Sequence, residues 1–315
     1  MNFGILLWNT CPAQCAHCAP MSGPRERAHL TNEDIFRVID SAFHDDLHPK
    51  IGLSGGEAFL YFDRLCEIVE YATKKGALIS INTSGSWAVT LDKAHERLKI
   101  IKSLGASRII VSADAFHEKF IKFENVLNVV KACKNIHLEI ELQFVATKKS
   151  MRLHDFLAKF GDELLNVRCR EIPCHPTGRA ESIPSSELFL QKGIPDGLCP
   201  SAILSLSADG HFMPCCNTAS HLPTLRVGSI SEAPIDVCIR FKSSAIFSVL
   251  VSDGPKSLIP AALEAGYEVK PAYVDQCHLC HDIFQQPAVA KAVKAAAIDR
   301  VTDRVMKLIE NRLDV

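Results

Sequence analysis

From residue 1 to about residue 172 the chain alternates short apolar runs with longer amphipathic ones, and this rhythm constrains its fold more than any other feature. Parallel strands can be joined only through a crossover, and right-handed crossovers put the helices outside the sheet. Strands are predicted at Phe3–Trp8, Ile51–Ser54, Ala77–Asn82, Arg108–Ala113, His137–Val145 and Leu165–Ile172. Helices are predicted over Thr31–His44, Tyr61–Lys75, Thr90–Leu104, His117–Lys134 and Met151–Phe160. The first has Thr31 as N-cap with Asp34 three residues on, and apolar Ile35, Val38, Ile39 and Ala42 at helical spacing. The predicted class is α/β, a partial (β/α)6 barrel of the TIM type, with functional loops at the carboxyl ends of the strands.

Past Ile172 the rhythm breaks into a loop-rich stretch containing Pro and Cys, which reads as a second, smaller domain. The chain closes on a long helix, Pro287 to Leu313, with Val289, Val293, Val301, Val305 and Leu308 on one stripe. The expected division is a barrel over 1–180, a small domain over 181–286, and a terminal helix over 287–315 packed on the barrel. With strand one at the start, no N-terminal peptide-recognition domain is expected.

A chain of 315 residues, 47% hydrophobic, buries a full core without staples. A net charge of -1 gives no electrostatic reason to expect nucleic acid or an anionic membrane as partner. No apolar run approaches the ~20 residues that span a bilayer, and no secretion signal is visible, so the expected location is the cytoplasm. Thirteen cysteines then argue for metal ligation in a reducing compartment rather than for disulfides.

Three of those cysteines, Cys11, Cys15 and Cys18, stand in a C-x3-C-x2-C spacing on the exit of strand one. Three thiolates this close can hold three irons of a four-iron, four-sulfur cluster and leave the fourth iron open for chemistry. A structural zinc site is the alternative, with His17 as its only local fourth ligand.

The spacing and its context resemble the radical S-adenosylmethionine (radical SAM) enzymes. The resemblance implies that the open iron is chelated by the methionine end of SAM, and that the reduced cluster cleaves SAM to a 5'-deoxyadenosyl radical that takes hydrogen from substrate. It also implies roles for the strand exits. Gly55-Gly56-Glu57 at the end of strand two matches the motif that contacts the SAM amino group; a tight turn is the alternative. Asn82, Thr83 and Ser84 present polar groups at the end of strand three, as a ribose or carboxylate would need; ordinary loop polarity is the alternative. At the end of strand four, Ser112 would help bind SAM and Asp114 would face the substrate pocket. Gln143, the one internal polar residue of strand five, needs a partner, SAM or a neighbouring backbone. His17 stands where the family carries a ring beside the adenine.

A second set, Cys199, Gly210, Cys215 and then Cys277-x2-Cys280, resembles the auxiliary-cluster domains called SPASM and twitch. Nothing after Cys280 supplies the further cysteines of a SPASM domain, so one auxiliary [4Fe-4S] cluster of the twitch type is expected; four-thiolate zinc is the alternative. Cys216, next to the presumed ligand Cys215, is similar in position to the hydrogen-atom donor of radical SAM peptide epimerases, or is itself a ligand or an inert thiol. Pro173 to Arg179 looks like a Pro-x-Gly-Arg exit, in which Arg179 is placed to meet a carboxylate in the active site. Cys66, Cys133, Cys169, Cys174 and Cys238 have no spacing partners.

The expected function is radical modification of a ribosomally made peptide, by epimerisation or cross-linking, with a flavodoxin- or ferredoxin-type electron donor. Oxidation or rearrangement of a small metabolite such as an aminocyclitol or sugar is the alternative. An iron-sulfur electron carrier would not need the Gly55-Gly56-Glu57 site.

Overall fold

Six parallel strands run in sequence order across one sheet: β1 (Asn2–Leu6), β2 (Lys50–Ser54), β3 (Leu78–Thr83), β4 (Arg108–Ser112), β5 (Glu139–Ala146) and β6 (Arg168–Pro173). Five helices connect them: α1 (Asn32–Ala42), α2 (Phe62–Lys74), α3 (Leu91–Ser103), α4 (Phe123–Asn135) and the short α5 (Leu153–Leu157). The computed structural model describes residues 2–200, 203–215, 219 and 221–313. Alternate strand residues such as Ile51, Leu53, Ile79, Ile81, Ile109 and Val111 are buried in one core with Ile35, Ile39, Leu65, Val69 and Leu98 of the helices. Each such side chain contributes about 1.5–3 kcal/mol on burial, which is what closes the βα units onto the sheet.

Local signals behave as read. Thr31 Oγ1 accepts from the Asp34 amide (3.1 Å) and starts α1. Helix α4 begins six residues later than its apolar periodicity suggests, because the Asp114 carboxylate accepts from the Phe116 and His117 amides and keeps that segment in turns. Among the described residues no helix is long and apolar enough to cross a membrane.

The second half adds β7 (Gln191–Lys192), β8 (Leu204–Leu206), β9 (His211–Met213), β10 (Gly228–Ser229) and β11 (Ala272–Tyr273), with α6 (Pro234–Lys242), α7 (Ala245–Ser252), α8 (Ile259–Glu264), α9 (Gln276–Gln285) and α10 (Pro287–Leu313). Strand β8 pairs parallel to β1, and β9 and β10 follow antiparallel, so the sheet order is β10-β9-β8-β1-β2-β3-β4-β5-β6. Gly210, at φ +83°, makes the β8–β9 turn. Leu204, Leu206 and Phe212 join the barrel's core, so the break at residue 180 divides the chain but not the packing.

The terminal helix corrects an expectation. Among the described residues its buried side chains sit in a separate core from the barrel's: Val289, Ala290, Val293 and Ala297 pack with Val249, Leu250, Ile259, Ala262 and Ile283 of α7, α8 and α9. Its apolar stripe also ends early, since Val301 is partly buried but Val305 and Leu308 are 48% and 63% exposed.

Candidate active site

The cysteine loop leaves β1 and is held by backbone from three other places. Cys11 N donates to Gly23 O (3.1 Å), and Gly56 N and Glu57 N donate to the carbonyls of Trp8 and Thr10. A Cβ on Gly56 would overlap the Thr10 carbonyl, so glycine is needed there for the strand-two exit to lie against the loop. Gly178, at φ +57°, makes the same close approach to Ala19 O from the far side. Beside it, Arg179 N donates to Cys18 O (3.2 Å), and its guanidinium donates to Cys15 O (2.9 Å) and Ser22 O (2.7 Å).

All three thiols are free, with Cys11 and Cys15 buried. Burial pushes the Cys11 thiol up to about 12 and raises that of Cys18, the latter against the nearby Arg179. Such thiols ionise readily only beside a compensating cation, which is what a metal cluster supplies.

Gly55, Gly56, Asn82, Thr83, Ser84, Ser112, His17 and Arg179 come together with the three cysteines around one cleft. Two buried polar atoms on its wall, His17 Nδ1 and Ser22 Oγ, have no hydrogen-bond partner. A polar ligand in the cleft satisfies them, so the residues present fit SAM.

Two carboxylates depart from expectation. Glu57 does not line the cleft: it accepts from Thr83 Oγ1 (2.6 Å), Ser84 N (2.9 Å), Ser84 Oγ and Phe59 N (3.1 Å), and is 1% exposed. A carboxylate with four internal donors ties the exits of β2 and β3 together and is not free to hold an ammonium. Asp114 likewise is fully buried and faces protein rather than the cleft. Its Oδ1 accepts from Phe116 N (3.0 Å), His117 N (3.1 Å) and His117 Nδ1 (2.9 Å), and its Oδ2 accepts from Val145 N (3.3 Å). Burial opposes its charge, but His117 and His17 hold its carboxyl at about 2. Gln143 stands beside Ser112 in strand register and does not line the cleft.

His117 is the residue missed. It lines the cleft, with one ring nitrogen within 4.8 Å of Cys15 Sγ and of His17. Burial works against its charge, yet Asp114 and Cys15 raise its pKa well above the ordinary value. The available signal was Asp114-x-x-His117, the spacing of a side chain that caps a turn and holds the residue three places on. His17, by contrast, is held neutral: burial lowers it to about 4 despite Asp114, and its ring lies 4.7 Å from that of Phe116.

Cys199, Cys215, Cys277 and Cys280 converge on a second, apolar cavity that Leu225, Phe247 and Leu250 help line. Burial, followed by the charges of Cys215, Cys199 and Cys277, raises the Cys280 thiol far above its ordinary value. Cys199 N donates to Leu250 O (2.9 Å), and Ser205 Oγ donates to Cys215 O (2.6 Å). Cys277 and Cys280 share one face of α9, three residues apart. Cys216 lies outside the described residues. Cys133, Cys174 and Cys238 are buried away from both sets, with burial pushing Cys133 and Cys174 to about 12.

Residues 5–146 match the model of the Radical SAM superfamily. Over 220 residues, 68% of this chain and 69% of its relative, the sequence is 27% identical to YydG of Bacillus subtilis (strain 168), named as a peptide biosynthesis protein. Over 149 residues, 43% of this chain and 58% of the relative, it is 26% identical to MJ1227 of Methanocaldococcus jannaschii, named as a glycyl-radical enzyme activating enzyme. In fold it is similar to anSMEcpe solved with bound AdoMet and the Cp18Cys peptide, at TM-score 0.58 and 12% identity over 96% of this chain and 99% of that one. The cysteine loop and the polar cleft above the parallel sheet agree with that match: residues 5–146 match the radical SAM domain, the domain of enzymes that work with a [4Fe-4S] cluster and SAM.

Proposed function

We propose that this enzyme modifies a ribosomally made peptide, epimerising a residue or forming a cross-link. The observation that carries the reading is the similarity to YydG, which spans more than two thirds of both chains and includes a protein named for peptide biosynthesis. Cys11, Cys15 and Cys18 would hold the first cluster. Gly55, Gly56, Asn82, Ser84, Ser112 and His17 would line the SAM site, and Cys199, Cys215, Cys277 and Cys280 would hold one auxiliary cluster.

When bound, the cluster and SAM supply a carbon-centred radical that removes a hydrogen atom from substrate. The protein's own work is positioning and exclusion. Arg179 and Gly178 fix the cysteine loop from one side and Gly56 from the other, while Glu57 clamps the loops that carry Asn82 and Ser84. His17, kept neutral by burial, offers a flat ring and an unpaired Nδ1 to the ligand. Asp114 holds the His117 ring rather than touching substrate.

For epimerisation, Cys216 is the proposed donor: its S–H gives a hydrogen atom to the opposite face of an α-carbon radical. The sulfur radical left behind then takes an electron from the reducing partner, a flavodoxin- or ferredoxin-type protein, and a proton from solvent.

The test is turnover in deuterated water with peptides encoded beside the gene. Deuterium fixed at an α-carbon, and lost in Cys216→Ala, is the expected result for epimerisation. Peptide mass lowered by lost hydrogen marks a cross-link instead. SAM cleavage stimulated by an aminocyclitol and by none of the peptides overturns the proposal.

A further inference from the structure

The two cysteine sites are far apart in sequence, and one short segment touches the machinery of both. It runs from Cys174 to Arg179, just beyond β6. At its start, Cys174 N donates to Ala146 O (2.9 Å), continuing the β5–β6 ladder. At its end, Gly178 and Arg179 lock onto the backbone of the Cys15–Cys18 loop. Between these anchors His175 points the other way: its Nε2 lies 2.9 Å from both carboxylate oxygens of Asp275, one hundred residues on.

Asp275 is the N-cap of α9. Its Oδ1 accepts from Cys277 N (2.9 Å) and His278 N (3.1 Å), the first free amides of the helix that carries Cys277 and Cys280. An N-cap carboxylate fixes where a helix starts, and a partner gripping both its oxygens fixes how the carboxylate is turned. The His175 ring is buried, which covers the contact on its side, while the Asp275 side chain is 29% exposed. Only four residue steps separate His175 from Arg179, which caps the span between their Cα atoms at about 14 Å.

We infer that the His175–Asp275 contact is a strap that sets the placement of the Cys277–Cys280 helix against the SAM-side cysteine loop, making His175 a positioning residue for the auxiliary site. The inference rests on the reading of Cys199, Cys215, Cys277 and Cys280 as that site. Nothing in the chemistry of the first site needs His175, whose ring faces away from the cleft toward α9. Thr177 N donates to His175 O (2.9 Å), so the segment turns at Pro176 between its two anchors.

The test uses the full chain with Cys11, Cys15 and Cys18 all replaced by alanine, reconstituted with iron and sulfide, so that only the second site contributes. His175→Ala is expected to shift and broaden the electron paramagnetic resonance signal of the reduced cluster and to lose iron to a chelator about tenfold faster than its parent. His175→Gln, whose amide nitrogen lies near the position of Nε2 and can still donate to Asp275, is expected to restore most of both. An unmoved signal and unchanged chelator resistance in His175→Ala, with the parent's iron intact, overturn the strap alone. A parent that holds no iron overturns the reading of the four cysteines as a cluster site, and the strap with it. Circular dichroism matching the parent separates either result from misfolding.

Discussion

The two cysteine sites solve one problem in opposite ways. The first is local in sequence, three thiols within eight residues on a single loop, and that loop is steadied by backbone brought from β2 and from the segment after β6. Its surroundings are polar, with hydroxyls, amides and unpaired buried atoms facing a cleft. The second is assembled from three separated segments, and its cavity is lined almost wholly by apolar side chains beside the thiols. A site that must admit a polar ligand needs dipoles and an opening, whereas a site closed by four thiolates needs a dry, fixed cage. The difference supports the proposed division, with chemistry at the first site and electronic or structural support at the second.

The difference is sharpest under removal of the thiols. Replacing Cys11, Cys15 and Cys18 by alanine is expected to abolish SAM cleavage while leaving about half the iron, as one of two equal clusters would. Replacing Cys277 and Cys280 should remove the other half and leave SAM binding in place. Iron and sulfide analysis checks both; loss of all iron in the first variant would mean that the second set holds zinc or nothing.

Close backbone approach offers the next largest effect. Alanine at Gly56 drives a methyl into the Thr10 carbonyl, and alanine at Gly254, at φ +74°, drives one into the Gly197 carbonyl. Each is expected to cost about 3 kcal/mol or more, as overpacking against backbone does. Gly56→Ala should weaken SAM binding with the second cluster retained, and Gly254→Ala should do the reverse, both read by calorimetry and iron content. Equal loss of both sites in both variants would mean that the two regions fold as one unit.

Much of this was legible in the sequence because the βα rhythm forces functional side chains to strand exits. The three cysteines, Gly55, Gly56, Asn82, Thr83, Ser84 and Ser112 stand at such exits, His17 was singled out by the family resemblance, and all of them line one cleft. The start of α10 also falls where the proline puts it, at Pro287. The misses have a common cause. Whether Glu57 or Asp114 meets a ligand or a protein amide depends on which backbone packs beside it, and that is decided by loops distant in sequence. Arg179 was read as a partner for a carboxylate and instead holds carbonyls of the cysteine loop. Helices α6 to α9 are too short, and too irregularly joined, to stand out by periodicity.

Glu57 gives a smaller effect that bears on the same contrast. Glu57→Gln cannot accept from all four of its donors, and the buried hydroxyls and amides left over should cost about 2–3 kcal/mol in urea denaturation. Unchanged stability with weakened SAM binding would return Glu57 to the ligand.

The smallest expected effect belongs to Asp114 and appears only in acid. Its folded pKa, about 2, lies below the ordinary 3.8, so the folded state favours the ionised carboxylate. A depressed carboxyl stabilises fully above its unfolded pKa, and that contribution is lost as pH falls from about 4 through about 2. The shift corresponds to about 2 kcal/mol. Asp114→Asn should therefore be less stable than the parent at pH 6 by about that amount, with the gap closing toward pH 2. A gap that is the same at both ends would mean that the amide geometry at Phe116, His117 and Val145, rather than the charge beside His117, is what Asp114 contributes to the wall of the cleft.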